Sequence, residues 1–254
     1  MWETVLMDIV DGIAVVKINR PKQLNAINDQ VVADLDACIA ALEGNDTVKA
    51  VVLTGEGDRA FVAGADIAAM RNMNSEQGRN FCATGQRVFS RLEAFRQPVI
   101  AAVNGFALGG GCELAMACDM RVASNKAKFG QPEVGLGITA GYGGTQRMPR
   151  LIGPGKSRYL HLTGEIIDAA TALAWGLVDF VTEPEELMNT ALGIAGKIAK
   201  QRQFAVRQAK RALLGSLDMP LAAGLAFESQ VCGICFGHPD QREAMTAFLE
   251  KSKK

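Results

Sequence analysis

Val99-Ile100-Ala101-Ala102-Val103-Asn104-Gly105-Phe106-Ala107-Leu108-Gly109-Gly110-Gly111-Cys112-Glu113-Leu114-Ala115-Met116-Ala117-Cys118-Asp119 joins two apolar runs through a glycine-rich turn. Val99–Val103 is short and bounded by breakers, so it reads as a buried strand, while Glu113–Cys118 is compatible with a helix. Three glycines at a helix N-terminus let the backbone approach a ligand closely and leave N–H groups free. The helix dipole adds to them, so the turn suits an oxyanion. A tight strand-to-helix turn with no ligand uses the same residues.

Working outward, strand and helix patterns alternate. Ile13–Ile18, Val48–Thr54, Met120–Ala123 and Val178–Val181 read as strands. Asn28–Glu43 carries Val31, Val32, Leu35, Ile39 and Leu42 at helical spacing, and Ser75–Ala94 and Asp168–Trp175 are further helical patterns. This alternation predicts βα crossover units around a largely parallel core. From about Glu183 the chain changes character: Glu185–Lys200, Phe204–Leu214, Leu221–Cys235 and Gln241–Lys251 all read as helices. Long apolar-faced terminal helices often find their partner in another subunit, although packing onto their own core is the alternative.

The chain has 254 residues, 48% of them apolar, with 27 glycines. That length suits one large domain or a core with an appendage. Lys+Arg and Asp+Glu both number 27, so the net charge is zero and no basic stripe marks a nucleic-acid partner. No apolar run approaches membrane-spanning length. The N-terminal residues resemble neither a secretion signal nor a transit peptide, and six scattered cysteines read as reduced thiols. A cytoplasmic protein is the expectation.

A second glycine-rich turn, Ala60-Phe61-Val62-Ala63-Gly64-Ala65-Asp66-Ile67, follows the strand at Val48–Thr54, with Asp66 placed to cap a helix. Two such turns together can clamp one carbonyl oxygen. Glu113 in the first stretch and Glu133 in Phe129-Gly130-Gln131-Pro132-Glu133-Val134-Gly135-Leu136-Gly137 are carboxylates in apolar settings, where pairing or pH tuning is required. Other motifs fail. Gly153-Pro154-Gly155-Lys156-Ser157 lacks the first Walker glycine, since Arg150 occupies it, and Gly135–Ala140 runs on into more glycines rather than a helix. With no GxSxG elbow and only His161 and His238 available, a histidine-free acid–base site fits best.

These stretches resemble the crotonase, or enoyl-CoA hydratase/isomerase, family over nearly the whole chain. Asn19-Arg20-Pro21-Lys22-Gln23-Leu24-Asn25-Ala26 resembles its first CoA-binding segment, Phe61–Ile67 its first oxyanion turn and Gly105–Asp119 its second. Phe129–Gly137 with Gly141–Arg147 resembles the segment of the second catalytic acid, and Cys235-Phe236 with Glu243–Phe248 the C-terminal signature. Ala68 stands where the family often has lysine, Ala140 where proline and Ala244 where glycine is common.

The resemblance implies an α/β, crotonase-like (ClpP/crotonase) spiral of repeated β-β-α units over residues 1–194. It also implies a helical C-terminal trimerisation region over 195–254, giving a trimer or a dimer of trimers. It assigns Ala65 and Gly110 to the oxyanion hole, Glu113 and Glu133 to catalysis, and an acyl-CoA thioester as substrate. Arg20, Lys22, Leu24, Ala63, Asp66, Ile67, Met70, Gly109, Phe248 and Lys251 become candidate substrate or CoA contacts. Of these, Arg20 and Lys22 also read as solvated loop cations, Met70 as core packing and Phe248 and Lys251 as a surface helix end. Hydratases resemble this chain in carrying both glutamates, so the expected reaction is syn addition of water to a trans-2-enoyl-CoA, short-chain by the small residues of Gly135–Gly144. Water supplies both added atoms, so neither a metal nor another cofactor is expected. A double-bond isomerase on the same scaffold, or an acyl-CoA- or RNA-binding protein without turnover, are the alternatives.

Overall fold

The computed structural model describes residues 2–251, so the outer ends of the two expected regions, at 1 and 254, lie outside it. A hairpin of β1 (Val5–Val10) and β2 (Ile13–Ile18) opens the chain, followed by α1 (Asp29–Glu43). The Asn28 side chain accepts from Val31 N–H and caps α1, whose predicted apolar stripe is buried.

Three strand pairs follow: β3 (Ala50–Gly55) with β4 (Ala60–Val62), β5 (Val99–Val103) with β6 (Phe106–Leu108), and β7 (Met120–Ser124) with β8 (Lys128–Gly130). After β4 come α2 (Ile67–Met70) and α3 (Ser75–Glu93), and after β6 comes α4 (Gly110–Met116). A 3-10 turn at Pro132–Leu136, α5 (Gly144–Ile152) and α6 (Pro154–Thr163) follow β8. In each pair the first strand joins one sheet and the second joins another. With β9 (Ile166–Asp168), α7 (Ala169–Trp175) and β10 (Phe180–Thr182), the orders are β1-β2-β3-β5-β7-β10 and β4-β6-β8-β9. All neighbours are parallel except β1 with β2 and β8 with β9. Successive β-β-α units thus climb two sheets together.

β3 is buried at all six positions, as a parallel strand covered on both faces should be. Val51 and Leu53 enter the main core; Ala50 and Val52 face the other way, against Leu187, Ala191 and Ala195 of α8 (Leu187–Ala199). The boundary expected at 194/195 falls inside this helix. α9 (Gln203–Gly215), α10 (Leu221–Phe236) and α11 (Pro239–Lys251) complete the chain; α10 buries only Val231 and α11 buries nothing.

Several element ends shift from the sequence reading, two of them for reasons the contacts show. Val178 N–H closes onto Ala172 O in the turn after α7, so the last strand starts at Phe180 rather than Val178. The helix expected from Glu113 begins at Gly110, because its glycines seat directly on β4. A Cβ on Gly111 would lie 1.8 Å from Val62 O, a distance no side chain tolerates. Gly111→Ala is therefore expected to cost about 3 kcal/mol through overpacking, while Gly135→Ala, where a Cβ meets nothing within 4 Å, should be near neutral. Comparing the thermal midpoints of the two variants with wild type checks this; equal midpoints would refute the close seating.

Candidate active site

The two glycine turns lie side by side because β4 and β6 pair in parallel. Ile27 N–H donates to Gly64 O (2.9 Å) and Ile27 O accepts from Asp66 N–H (2.7 Å). Backbone groups alternate along an extended segment, so the N–H of Ala65 between them points the opposite way. Gly110 is the first residue of α4, whose N–H has no acceptor within its own helix. Both residues border a cavity of about 550 Å³, enclosed by the β4–α2 turn, α3, the start of α4, and the 132–142 segment.

Glu113 sits one turn into α4 and enters this cavity while only 1% exposed. Its Oε1 accepts from Tyr142 N–H (2.8 Å) and Gly144 N–H (2.7 Å). Burial pushes its carboxyl above the usual range, and the two N–H groups and the Arg147 charge pull part of the way back. Glu133 reaches the same cavity from the turn that Pro132 starts. Burial, reinforced by the charge of Glu113, pushes it up to about 7, against a backbone hydrogen bond that lowers it. Gln131 is wholly buried and, with its amide nitrogen turned to Glu133, donates to both carboxylate oxygens at 2.9 and 3.1 Å. Gly109 has φ 50°, and a Cβ there would stand 2.8 Å from Glu133 Oε1, so only glycine fits.

Ala63, Ile67, Met70 and Gly109 also line the cavity. Leu24 stands behind it, its carbonyl accepting from Ala63 N–H. Asp66 caps α2 through Ala68 N–H and pairs with Arg20 at 3.3 Å, so Arg20 braces the first turn. Lys22 is exposed on the neighbouring 3-10 turn. Phe248 and Lys251 lie exposed on α11 and are not among the cavity-lining residues of this protomer. His161 bonds to Ser157 O and His238 stacks on Phe204, both away from the cavity. Among the described residues no group of three or more His, Cys, Asp or Glu is placed to hold a metal ion, and no helix is long and apolar enough to cross a membrane.

The family profile described as enoyl-CoA hydratase/isomerase matches residues 8–254. The chain belongs to the enoyl-CoA hydratase/isomerase family. A short-chain-enoyl-CoA hydratase of Clostridium acetobutylicum is 53% identical over 249 residues, covering 98% of this chain and 95% of its own. A crotonyl-CoA hydratase of Syntrophomonas wolfei is 48% identical, with 99% and 97% covered. Among solved structures, an enoyl-CoA hydratase from Bacillus anthracis superposes with a TM-score of 0.95 at 38% identity, covering 98% of this chain and 97% of that one. The fold is accordingly the crotonase spiral expected from the sequence.

Sequence reading of this family member missed Gln131, Tyr142 and Gly144 as parts of the site. Gln131 lies inside the stretch quoted for Glu133, but its role depends on how the 130–133 backbone turns. Tyr142 and Gly144 act through backbone N–H groups, for which side-chain identity is no signal. Because burial sets most of the Glu133 shift and the Glu113 charge adds to it, Glu113→Gln should lower the Glu133 titration from about 7 while burial keeps it above the ordinary value of 4.5. Carboxyl 13C NMR of the two proteins measures this, and an unmoved midpoint would show the carboxylates to be uncoupled.

Proposed function

We propose that this family member is an enoyl-CoA hydratase that adds water reversibly to a short trans-2-enoyl-CoA, working through Glu113 and Glu133. The observation that carries the reading is two carboxylates bordering one cavity together with the turns that hold Ala65 and Gly110. The names of the relatives from Clostridium and Syntrophomonas support the same chemistry and a short acyl group.

The thioester carbonyl lies between the Ala65 and Gly110 N–H groups and gains negative charge as C3 is attacked. Losing one such donor typically costs about 3–4 kcal/mol. Glu113, its Oε1 already accepting two N–H bonds, presents its other oxygen to the water and takes a proton as the C3–O bond forms. Glu133 in its acid form gives a proton to C2 as the enolate collapses. One proton enters the pair and one leaves, so the net change is addition of a single water, and no step calls on a metal or redox cofactor. Two carboxylates in the cavity favour hydration over the isomerase alternative, which needs only one. The substrate's CoA portion leaves by the side of the cavity nearest Arg20 and Lys22, with Leu24 and Asp66 shaping that edge.

The C-terminal helices supply an oligomer. Leu213, Leu221, Leu225, Phe236 and Phe248 are all more than half exposed on α9, α10 and α11, a display that monomeric proteins avoid. A trimer or dimer of trimers buries them, and can bring Phe248 and Lys251 to a neighbour's site. The six free cysteines fit a reducing cytoplasm. Light scattering should return three or six times the 27.0 kDa chain mass; a monomer would refute the assembly.

Crotonyl-CoA hydration, followed as loss of the conjugated thioester absorbance, tests the activity. Glu113→Gln and Glu133→Gln should each lower kcat by at least about 10²–10⁴-fold. Inactive wild type on every enoyl chain length would end the hydratase reading, and a defect in Glu133→Gln alone would favour the isomerase. Hydration needs Glu133 protonated, and that form is lost as pH rises through about 7. The hydration kcat/KM is therefore expected to fall above that pH with a one-proton slope; a flat profile to pH 9 would contradict this assignment of the acid.

A further inference from the structure

Ile67 and Leu136 line the cavity while more than half exposed, whereas Tyr142, which also lines it, is 2% exposed. A thioester whose coenzyme A portion reaches solvent past Ile67 and Leu136 directs its acyl tail, on the other side of the carbonyl, toward Tyr142.

The Tyr142 ring fills the gap between α4 and α3. A Cβ on Gly110 would lie 3.3 Å from its Cδ2, so one edge of the ring rests beside the oxyanion turn. A Cβ on Gly85 of α3 would lie 2.3 Å from Cε1, so the other edge presses against the α3 backbone and requires glycine there. Phe81 and Phe89 each hold the ring at a centroid distance of 5.2 Å, and its main chain is pinned to Glu113. Among the described residues its hydroxyl has no hydrogen-bond partner, and packing holds the ring. A wall confined on both edges and held by two further rings cannot swing aside for a longer chain.

We propose that Tyr142 is the specificity-determining residue of this cavity, ending it a few carbons beyond the thioester and so restricting the protein to short acyl groups. The proposal rests on the hydratase reading for its substrate, and on packing for its limit. Phe81 and Met73 also border a surface groove between α1 and α3, so a tail that escaped between them would bypass Tyr142.

The test measures kcat/KM on crotonyl-, trans-2-octenoyl- and trans-2-dodecenoyl-CoA, together with calorimetric binding of butyryl- and octanoyl-CoA. Wild type, Tyr142→Phe, Tyr142→Leu and Tyr142→Ala are compared. Wild type should lose at least about tenfold between the four- and eight-carbon substrates, and Tyr142→Ala should recover at least about tenfold in that ratio, the scale on which pockets discriminate methylenes. Tyr142→Phe, which keeps the ring, should keep the wild-type ratio. Should Tyr142→Ala fail to fold by its melting curve, Tyr142→Leu carries the comparison with a smaller shift in the same direction. An unchanged ratio in the folded variants, or wild type that takes the long chains equally well, overturns the proposal. If no protein hydrates any substrate but the octanoyl-to-butyryl binding ratio still rises in Tyr142→Ala or Tyr142→Leu, the hydratase reading fails and the wall stands. If that ratio also stays fixed, both fail.

Discussion

The site depends on one buried carboxylate. Glu113 is almost without solvent, and an isolated charge there would be prohibitively costly. Its oxygen instead receives two N–H groups from residues 29 and 31 positions further along the chain. This makes the 142–144 segment a consequence of the glutamate: the backbone must return to α4 to satisfy it. The return sets Tyr142 against the glycine turn at Gly110 and starts α5 at Gly144. Gly144 can approach because it lacks a side chain; a Cβ would stand 3.0 Å from Glu113 Oε1 and 2.8 Å from the Gln131 amide. The anchor of the first carboxylate and the residue steadying the second are therefore in contact.

Backbone donors are a better anchor here than a guanidinium would be. A buried ion pair would hold Glu113 firmly ionised and depress its proton affinity, whereas N–H dipoles orient the oxygen and offset only part of the burial penalty. The nearby cation is directed elsewhere: Arg147 bonds Glu93, Ser90 and Tyr142 O, so Glu113 feels only its field. Charges that could have been paired are kept apart, and proton affinity stays adjustable.

Much of this was legible in the sequence because the informative signals are local. The long parallel strands and the helices at 29–43 and 75–93 follow periodicity and caps, and the glycine turns announce backbone that must approach something. The second sheet was not legible. β4, β6, β8 and β9 are three residues each, too short for any period, and Phe61–Val62 reads as part of a turn. Yet the pairing of β4 with β6 is what sets the two glycine turns side by side. The start of α4 was misplaced for a related reason: three glycines oppose a helix by propensity, and tertiary seating on Val62 overrides them. Gln131 and Tyr142 escaped because their roles arise from contacts between distant segments, and the pairing of Arg20, expected only as a CoA contact, with Asp66 is visible only once the chain is folded.

The electrostatics also bear on direction. Burial raises both glutamates, and the charge on Glu113 raises Glu133 further. Two such groups facing one cavity hold a single proton between them more readily than none or two, because each ionisation makes the other harder. In the proposed mechanism hydration begins with a proton on Glu133, which goes to C2, and ends with another, taken from the water, on Glu113; dehydration begins where hydration ends. The starting and finishing states differ only in which member of the pair holds the proton, so the same geometry serves both directions. A site built this way lowers one barrier shared by two opposite reactions. The balance between enoyl and hydroxyacyl thioesters is then left to their concentrations, and the protein's own residues govern only how fast it is reached.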